Sequence, residues 1–369
     1  MKTGIVGWFG SDNLGDEILL HSLMHNVNAA AGGSDFVVFC PDPDRVAELH
    51  GVHTAPMPTL RGDGLADRTK QTMRLIRECD LLIFGPGTVF QERSPNLPWP
   101  GTLPLFARIT GMAKLAGTPV AAIGVGVREG GTAFGRSILR SLGAASLAVG
   151  ARDRRSAAHF GRSAAVIGDM AYAVELPDPP APSGDLRFAI SMRPLAPDVQ
   201  KSLTESLRGC TSQLRAQGWT GDFLAMAYGR EAQGEDDREI YAADFGSDLR
   251  LAWSPLDDGQ GLRSGLDPWL RSLAAYQLVL GTRLHAALMA VAMGVPTVAV
   301  AYERKVRDAF VDLGLSDFMV DPDCSAGQLH QTAVRAAGTP EAFREARVRL
   351  VRQGLVARDF IGDVVKRLG

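Results

Sequence analysis

Short apolar segments alternate with longer amphipathic segments along most of this 369-residue chain. In the first half the pattern predicts strands over 4–9, 36–39, 80–84 and 119–124, and helices over 14–31 and 103–116. Regular alternation of this kind predicts an α/β fold in which a parallel sheet is covered by helices on both faces.

A Pro-rich segment over 176–184 interrupts this alternation, since prolines are poorly tolerated in a helix or a central strand. A second alternation begins with a strand over 187–192 and ends in helices over 340–368. We therefore predict an N-terminal domain over 1–178 and a C-terminal domain over 185–369, each large enough for its own core. A ligand site between two such domains would be the usual arrangement.

Composition limits the function. The formal net charge is −2, which argues against general nucleic-acid binding and against polybasic membrane binding. The four cysteines form no CxxC pair and have no histidine at zinc-ligand spacing, so we expect reduced, buried thiols and no metal. The long apolar run over 284–302 is divided by Gly294 and Pro296, and the amino terminus lacks a signal-peptide pattern. We expect a cytoplasmic protein without an integral membrane segment.

Basic residues follow two consecutive predicted strands in the second half. A strand ending at Gly281 is followed by Arg283 and His285 at the start of a helix, whose amides favour anions. The next strand ends near Val300, and Lys305 follows it. Ligands of open α/β sheets lie at the carboxyl ends of strands, which predicts a phosphate or carboxylate pocket here. The alternative is a surface arginine and a capping or core histidine.

The Gly-rich segment over 7–17 joins the first strand to the first helix but has neither the dinucleotide-binding nor the P-loop spacing. Its polar residues Asn13, Asp16 and Glu17 are interpreted either as helix caps or as ligands for polyhydroxy groups.

A second acidic segment lies over 229–238. It is interpreted as the exposed start of a helix, ahead of metal binding by Glu235, Asp236 and Asp237.

Together, six segments resemble the polysaccharide pyruvyl transferase family in the order expected for it. They are residues 10–17, 84–88, 151–156, 167–169 and 190–193, and the group Arg283, Leu284 and His285 with Tyr302 and Lys305. Two departures are Pro86, where many relatives have glycine, and Glu303, where aspartate is more usual.

The resemblance implies two Rossmann-like domains that face a cleft, similar to the GT-B glycosyltransferases. It also implies transfer of the pyruvyl group of phosphoenolpyruvate to two hydroxyls of a sugar or saccharide, with release of phosphate and no cofactor. By this resemblance the C-terminal domain binds phosphoenolpyruvate through Arg193, Arg283, Leu284 and Lys305, and His285 is the acid. The acceptor side is the N-terminal domain, with Asn13, Asp16, Gly85, Gly87 and Asp169.

The general base stays open between Asp16 and Asp169, since either carboxylate could instead be a structural cap. Two other hypotheses are a GT-B glycosyltransferase that uses a nucleotide sugar, and a non-catalytic protein that binds a saccharide or phosphate. Release of phosphate from phosphoenolpyruvate would distinguish a pyruvyl transferase from both of these alternatives.

Overall fold

The computed structural model describes residues 1–58, 64–93, 100–128, 131–162, 164–178, 184–229, 235–257 and 261–369. The chain forms two compact units. The first contains Met1–Gly10, Asp16–Val174 and Gln353–Gly369, and the second contains Ser11–Gly15 and Glu175–Arg352.

This division differs from the predicted domains at both ends of the chain. Residues 11–15 belong to the second unit, and residues 353–369 belong to the first. The change of unit after Val174 falls near the predicted Pro-rich linker, of which residues 179–183 lie outside the described residues.

The first unit is built on a parallel sheet in the order β3-β2-β1-β4-β6-β7-β8, and β5 pairs with β6. Its strands are β1 (Lys2–Val6), β2 (Asp35–Cys40), β3 (His53–Pro56), β4 (Leu81–Phe84), β5 (Gly87–Phe90), β6 (Val120–Val127), β7 (Ala148–Ala151) and β8 (Ala164–Val166). Its helices are α1 (Leu14–Ala31), α2 (Pro43–His50), α3 (Leu65–Arg77), α4 (Leu103–Ala116), α5 (Ala133–Ala145) and α6 (Arg154–Phe160), with the first two residues of α1 counted in the second unit.

The second unit has a parallel sheet in the order β11-β10-β9-β12-β13-β14. The strands are β9 (Arg187–Ser191), β10 (Thr220–Phe223), β11 (Arg250–Leu251), β12 (Leu278–Gly281), β13 (Thr297–Val300) and β14 (Met319–Val320). The helices are α7 (Pro197–Ala216), α8 (Asp237–Ile240), α9 (Gly261–Leu273), α10 (Leu284–Ala292), α11 (Arg304–Asp312), α12 (Ala326–Ala337) and α13 (Pro340–Lys366), whose last part returns to the first unit.

Strand order locates a switch point in each sheet. In the first sheet β1 lies between β2 and β4, so the chain reverses its direction of winding there. In the second sheet β9 lies between β10 and β12, and the same reversal occurs. Ligands of doubly wound sheets bind outside the carboxyl ends of the strands at such points. The residues after β9 and β12 are therefore placed for binding.

Most predicted elements are confirmed, because burial follows the apolar pattern. The helices predicted over 14–31 and 103–116 have those bounds in the structure. The apolar run over 284–302 divides as predicted into α10 and β13. Among the described residues, no helix is both long and apolar enough to cross a membrane. The first strand is an exception, since it ends at Val6 and not near Phe9.

The core of the first unit is rich in packed aromatic rings. The ring centroid of Phe106 lies 5.0 Å from that of Phe84 and 4.8 Å from that of Phe90, and all three side chains are buried. Such contacts stabilise a core beyond the area they bury. They pack α4 against β4 and β5, and so support the turn between these strands.

This turn requires glycine at position 85. Gly85 has φ +100°, and an added Cβ would lie 2.6 Å from the backbone oxygen of Ile123. We predict that Gly85→Ala destabilises the protein by about 2 kcal/mol or more, through strain and a clash that cannot relax. Gly117→Ala is the matched control, because Gly117 has φ +77° but open space around its Cβ position. Urea unfolding measures both, and equal losses would contradict the clash.

Candidate functional site

Two loops of the second unit meet at the switch point of its sheet. The backbone N–H of Arg193 donates to Thr282 Oγ1 at 2.9 Å, and the backbone N–H of Thr282 donates to the Ser191 carbonyl at 2.8 Å. These bonds hold the end of β9 against the end of β12. Arg193 and Arg283 therefore project from neighbouring strand ends.

Arg283 forms a buried ion pair with Asp237, the first residue of α8. Arg283 is 7% exposed and Asp237 is fully buried. Arg283 Nε donates to Asp237 Oδ2 at 3.0 Å, and Nη2 bonds the other carboxylate oxygen. Asp237 Oδ2 also accepts the backbone N–H groups of Met226 and Ala227, at 2.9 and 3.1 Å. Burial raises the pKa of Asp237, and Arg283 and the two amides oppose that shift.

Glu235 bridges the two arginines. Its Oε1 is bonded to Nη2 of Arg193, and its Oε2 lies 2.9 Å from Nη1 of Arg283. The Glu235 side chain is 38% exposed, unlike that of Asp237. The two guanidinium groups are thus spaced to hold one carboxylate between them, as charge-assisted pairs of this kind favour.

Tyr302 orients Arg193 from the end of β13. Arg193 Nη1 donates to Tyr302 Oη at 2.8 Å, and the guanidinium carbon lies 5.2 Å from the ring centroid. Burial disfavours the charged guanidinium, but Tyr302 and Glu235 outweigh this and raise the pKa of Arg193 above its ordinary value. Tyr302 and Glu235 therefore favour the charged form of Arg193.

Lys305 joins the same network through Glu303. Lys305 Nζ lies 2.9 Å from Glu303 Oε2, and Arg193 Nη1 lies 3.9 Å from Glu303 Oε1. The structure therefore brings together the basic residues that the sequence placed after separate strands. In the described part of this edge, three cations and three carboxylates are connected, namely Arg193, Arg283 and Lys305 with Glu235, Asp237 and Glu303.

His285 lies at the start of α10 and packs against Gly15, in the Gly-rich segment over 7–17. A Cβ built at Gly15 would lie 2.2 Å from His285 Nδ1 and 3.1 Å from its Cβ. Both residues belong to the second unit. Only glycine fits at position 15, because the imidazole ring of His285 occupies the space that a side chain there would need. Leu284, between Arg283 and His285, is buried.

The segment around Asn13 belongs to the second unit, which corrects its predicted place in an N-terminal acceptor domain. Asn13 pairs with Ala227 in an antiparallel bridge, and the backbone N–H of Leu14 donates to the Met226 carbonyl at 2.7 Å. Residues 12–14 lie in the second unit because they pair, as a strand does, with residues 226–228, and Asp237 holds that backbone in place. Asn13 Oδ1 also accepts the Gly15 N–H at 3.1 Å, as a helix cap does.

The remaining predicted acceptor residues lie in the first unit. Gly85 and Gly87 follow β4 at its switch point, and Asp16 lies in the first turn of α1. Asp169 is buried, and its side chain accepts the Ala171 N–H at 3.0 Å, which caps a short 3-10 helix over Met170–Ala173. The cap interpretation of Asp169 is thus supported for one of its two oxygens.

Sequence reasoning missed Glu235 and Asp237 as partners of the arginines. The acidic segment was interpreted as an exposed helix start, but Asp237 is fully buried and Glu235 is held by two cations. Residues 230–234 of that segment lie outside the described residues. In the described ranges no three His, Cys, Asp or Glu side chains are grouped as metal ligands. One signal in the sequence could have revealed these partners. Three basic residues were predicted to meet at one edge of the sheet, and such a cluster needs acidic side chains to balance its charge.

A known family matches most of this chain. The family model for polysaccharide pyruvyl transferase matches residues 13–304, which include Asn13, both arginines and His285. The chain belongs to the polysaccharide pyruvyl transferase family. The match begins at Asn13, in the second unit, and ends at Arg304, the first residue of α11 and one residue before Lys305.

Solved structures share the fold at low identity. A UDP-GlcNAc 2-epimerase from Neisseria meningitidis, bound to UDP-GlcNAc, has a TM-score of 0.61 and 10% identity, with 100% of each chain covered. A putative UDP-N-acetylglucosamine 2-epimerase from Listeria monocytogenes has a TM-score of 0.60 and 12% identity, covering 97% of this chain and 94% of that one. A glycosyltransferase from Rickettsia africae has a TM-score of 0.58 and 12% identity, covering 100% of this chain and 98% of that one.

Identities this low show the fold alone. The structural matches establish that this member of the family has two Rossmann-like α/β units of the GT-B kind, as predicted.

The contact between Gly15 and His285 predicts a local effect of a small substitution. Gly15→Ala should displace the imidazole and shift its NMR resonances, because the methyl group overlaps the ring. Gly111→Ala in α4 is the matched control, since Gly111 has open space and alanine is favoured in a helix by about 0.5–1 kcal/mol. An unchanged His285 resonance in Gly15→Ala would rule out the contact.

The buried ion pair predicts a large effect on stability. Asp237→Asn should lower the free energy of unfolding by about 3 kcal/mol, because Arg283 would lose its buried counter-ion. The control is Asp248→Asn, which removes a surface pair with Arg215 at 2.9 Å and should cost less than about 1 kcal/mol. Urea unfolding distinguishes them, and similar losses would mean that Asp237 is not a structural anchor.

Proposed function

We propose that this protein transfers the pyruvyl group of phosphoenolpyruvate to two hydroxyls of a sugar or saccharide, forming a ketal and releasing phosphate. The observation that carries this proposal is the pair of arginines that share one carboxylate. Family membership supports a role in pyruvylation of a polysaccharide or its precursor.

Arg193 and Arg283 bind the carboxylate of phosphoenolpyruvate in this proposal. Their guanidinium groups approach one carboxylate from two sides, and arginine suits this role because its donors are planar and always charged. Lys305 lies in the same network and neutralises the phosphate. Together these cations stabilise the charge that develops on the leaving phosphate.

His285 is the proposed acid. It donates a proton to the methylene carbon of phosphoenolpyruvate, and the neighbouring carbon becomes an oxocarbenium-like centre that a sugar hydroxyl attacks. The phosphate then leaves with its bonding electron pair, and a second hydroxyl attacks the same carbon to close the ketal. The scheme uses proton transfer and charge stabilisation, and requires neither a metal nor a cofactor.

The acceptor side is proposed in the first unit, with Asp16, Gly85 and Gly87 in contact with the sugar. Asp16 is preferred to Asp169 as the base, because Asp16 is partly exposed whereas Asp169 is buried. Asn13 is proposed on the donor side, since it belongs to the second unit. We place the protein in the cytoplasm, where its four buried, free cysteines would stay reduced.

Substitution of His285 tests the mechanism. His285→Gln should lower turnover at least about 100-fold with little change in phosphoenolpyruvate affinity, because a general acid acts mainly in the transition state. His53→Gln, on an exposed strand of the first unit, is the control and should keep full activity. Phosphate release in the presence of saccharide acceptors gives the rates. Near-normal turnover by His285→Gln would defeat the assigned role.

Calorimetric titration tests the donor itself. Phosphoenolpyruvate should bind the wild-type protein, and Arg193→Gln should bind it at least about tenfold more weakly, since a charge-assisted pair is lost. A nucleotide sugar serves as the comparison ligand. Binding of the nucleotide sugar without binding of phosphoenolpyruvate would favour the glycosyltransferase hypothesis.

A further inference from the structure

The carboxylates around the two arginines are of two kinds. Asp237 is fully buried and is anchored by Arg283 and by two backbone amides. Glu235 is 38% exposed, and within the described residues its carboxylate is paired with the two guanidinium groups. One carboxylate is part of the fold, whereas the oxygens of the other have no backbone contact among the residues that the structure describes.

We propose that Glu235 is an internal competitor that occupies the position of the substrate carboxylate, and so lowers the affinity of this site for anionic ligands. The identity of that substrate as phosphoenolpyruvate rests on the function proposed above. The competition itself rests on the geometry of Glu235, Arg193 and Arg283.

A tethered carboxylate competes at a high effective concentration, of the order of millimolar for a short flexible connection. A small monocarboxylate such as pyruvate offers the arginines the same group as Glu235 and gains no further contact. A ligand with a carboxylate and a phosphate also engages Lys305, which exchanges its contact with Glu303 at 2.9 Å for the phosphate. Glu235 therefore weakens the binding of both kinds of ligand, and the contact with Lys305 favours the ligand that carries two anionic groups.

Glu235→Gln removes the competing charge with little change of shape. The matched control is Glu239→Gln, four residues further on, because Glu239 is exposed and its substitution changes the net charge equally. Phosphoenolpyruvate, pyruvate and inorganic phosphate are titrated calorimetrically into the wild-type protein and both variants. The unfolding midpoint of each variant checks that the fold is kept.

We expect Glu235→Gln to bind phosphoenolpyruvate about tenfold more tightly, as loss of a charge-assisted competitor predicts. Its affinity for pyruvate should rise by a similar factor, because both ligands must displace the same carboxylate. Glu239→Gln should stay within about twofold of wild type, since distant exposed charges are screened. Unchanged or weaker binding by Glu235→Gln would overturn the proposal.

Two results separate this proposal from the proposed function. If the wild-type protein does not bind phosphoenolpyruvate, that function fails, but pyruvate and phosphate still test Glu235. Tighter binding of either anion to Glu235→Gln would support the competitor, and unchanged binding of both would refute it. Should Glu235→Gln fail to fold, Glu235→Asp replaces it. The shorter side chain cannot span both guanidinium groups and should also raise the affinity, whereas unchanged affinity would refute the proposal.

Discussion

The buried pair of Arg283 and Asp237 organises the carboxyl edge of the second sheet. Asp237 accepts hydrogen bonds from the backbone N–H groups of residues 226 and 227, and residues 12–14 pair with residues 226–228. The pairing brings Gly15 against the His285 ring. Because an unpaired buried charge is strongly unfavourable, the pair holds Arg283 in place. Through the backbone next to Asp237, it also holds residues 12–15 beside His285.

Charge around this pair is balanced before any substrate binds. Glu235 and Glu303 are partly exposed and hold Arg193, Arg283 and Lys305 in place. A site of this kind keeps its cations oriented without leaving them unpaired, and a ligand must then exchange with the internal carboxylates. Affinity is therefore a difference between two sets of charge-assisted contacts, and selectivity follows from which ligand replaces more of them.

Local pattern was sufficient for much of the fold and for part of the site. Helix α1 was predicted with its observed bounds because its apolar residues are buried along most of its length. The family resemblance implied that Arg193 and Arg283 bind one ligand, and the structure brings both to one carboxylate. Glu235, Asp237 and the pairing of Asn13 could not be predicted, because an acidic helix start looks the same whether it faces solvent or a distant arginine. The return of residues 353–369 to the first unit likewise depends on tertiary packing within one uninterrupted helix.

A crystal structure of the protein with bound phosphoenolpyruvate tests the central claim most directly. The account predicts that the ligand carboxylate lies between Arg193 and Arg283, with Lys305 at the phosphate, the methylene carbon facing His285 and the Glu235 side chain moved away. Phosphoenolpyruvate bound elsewhere, or bound with Glu235 still bridging both arginines, would contradict the account.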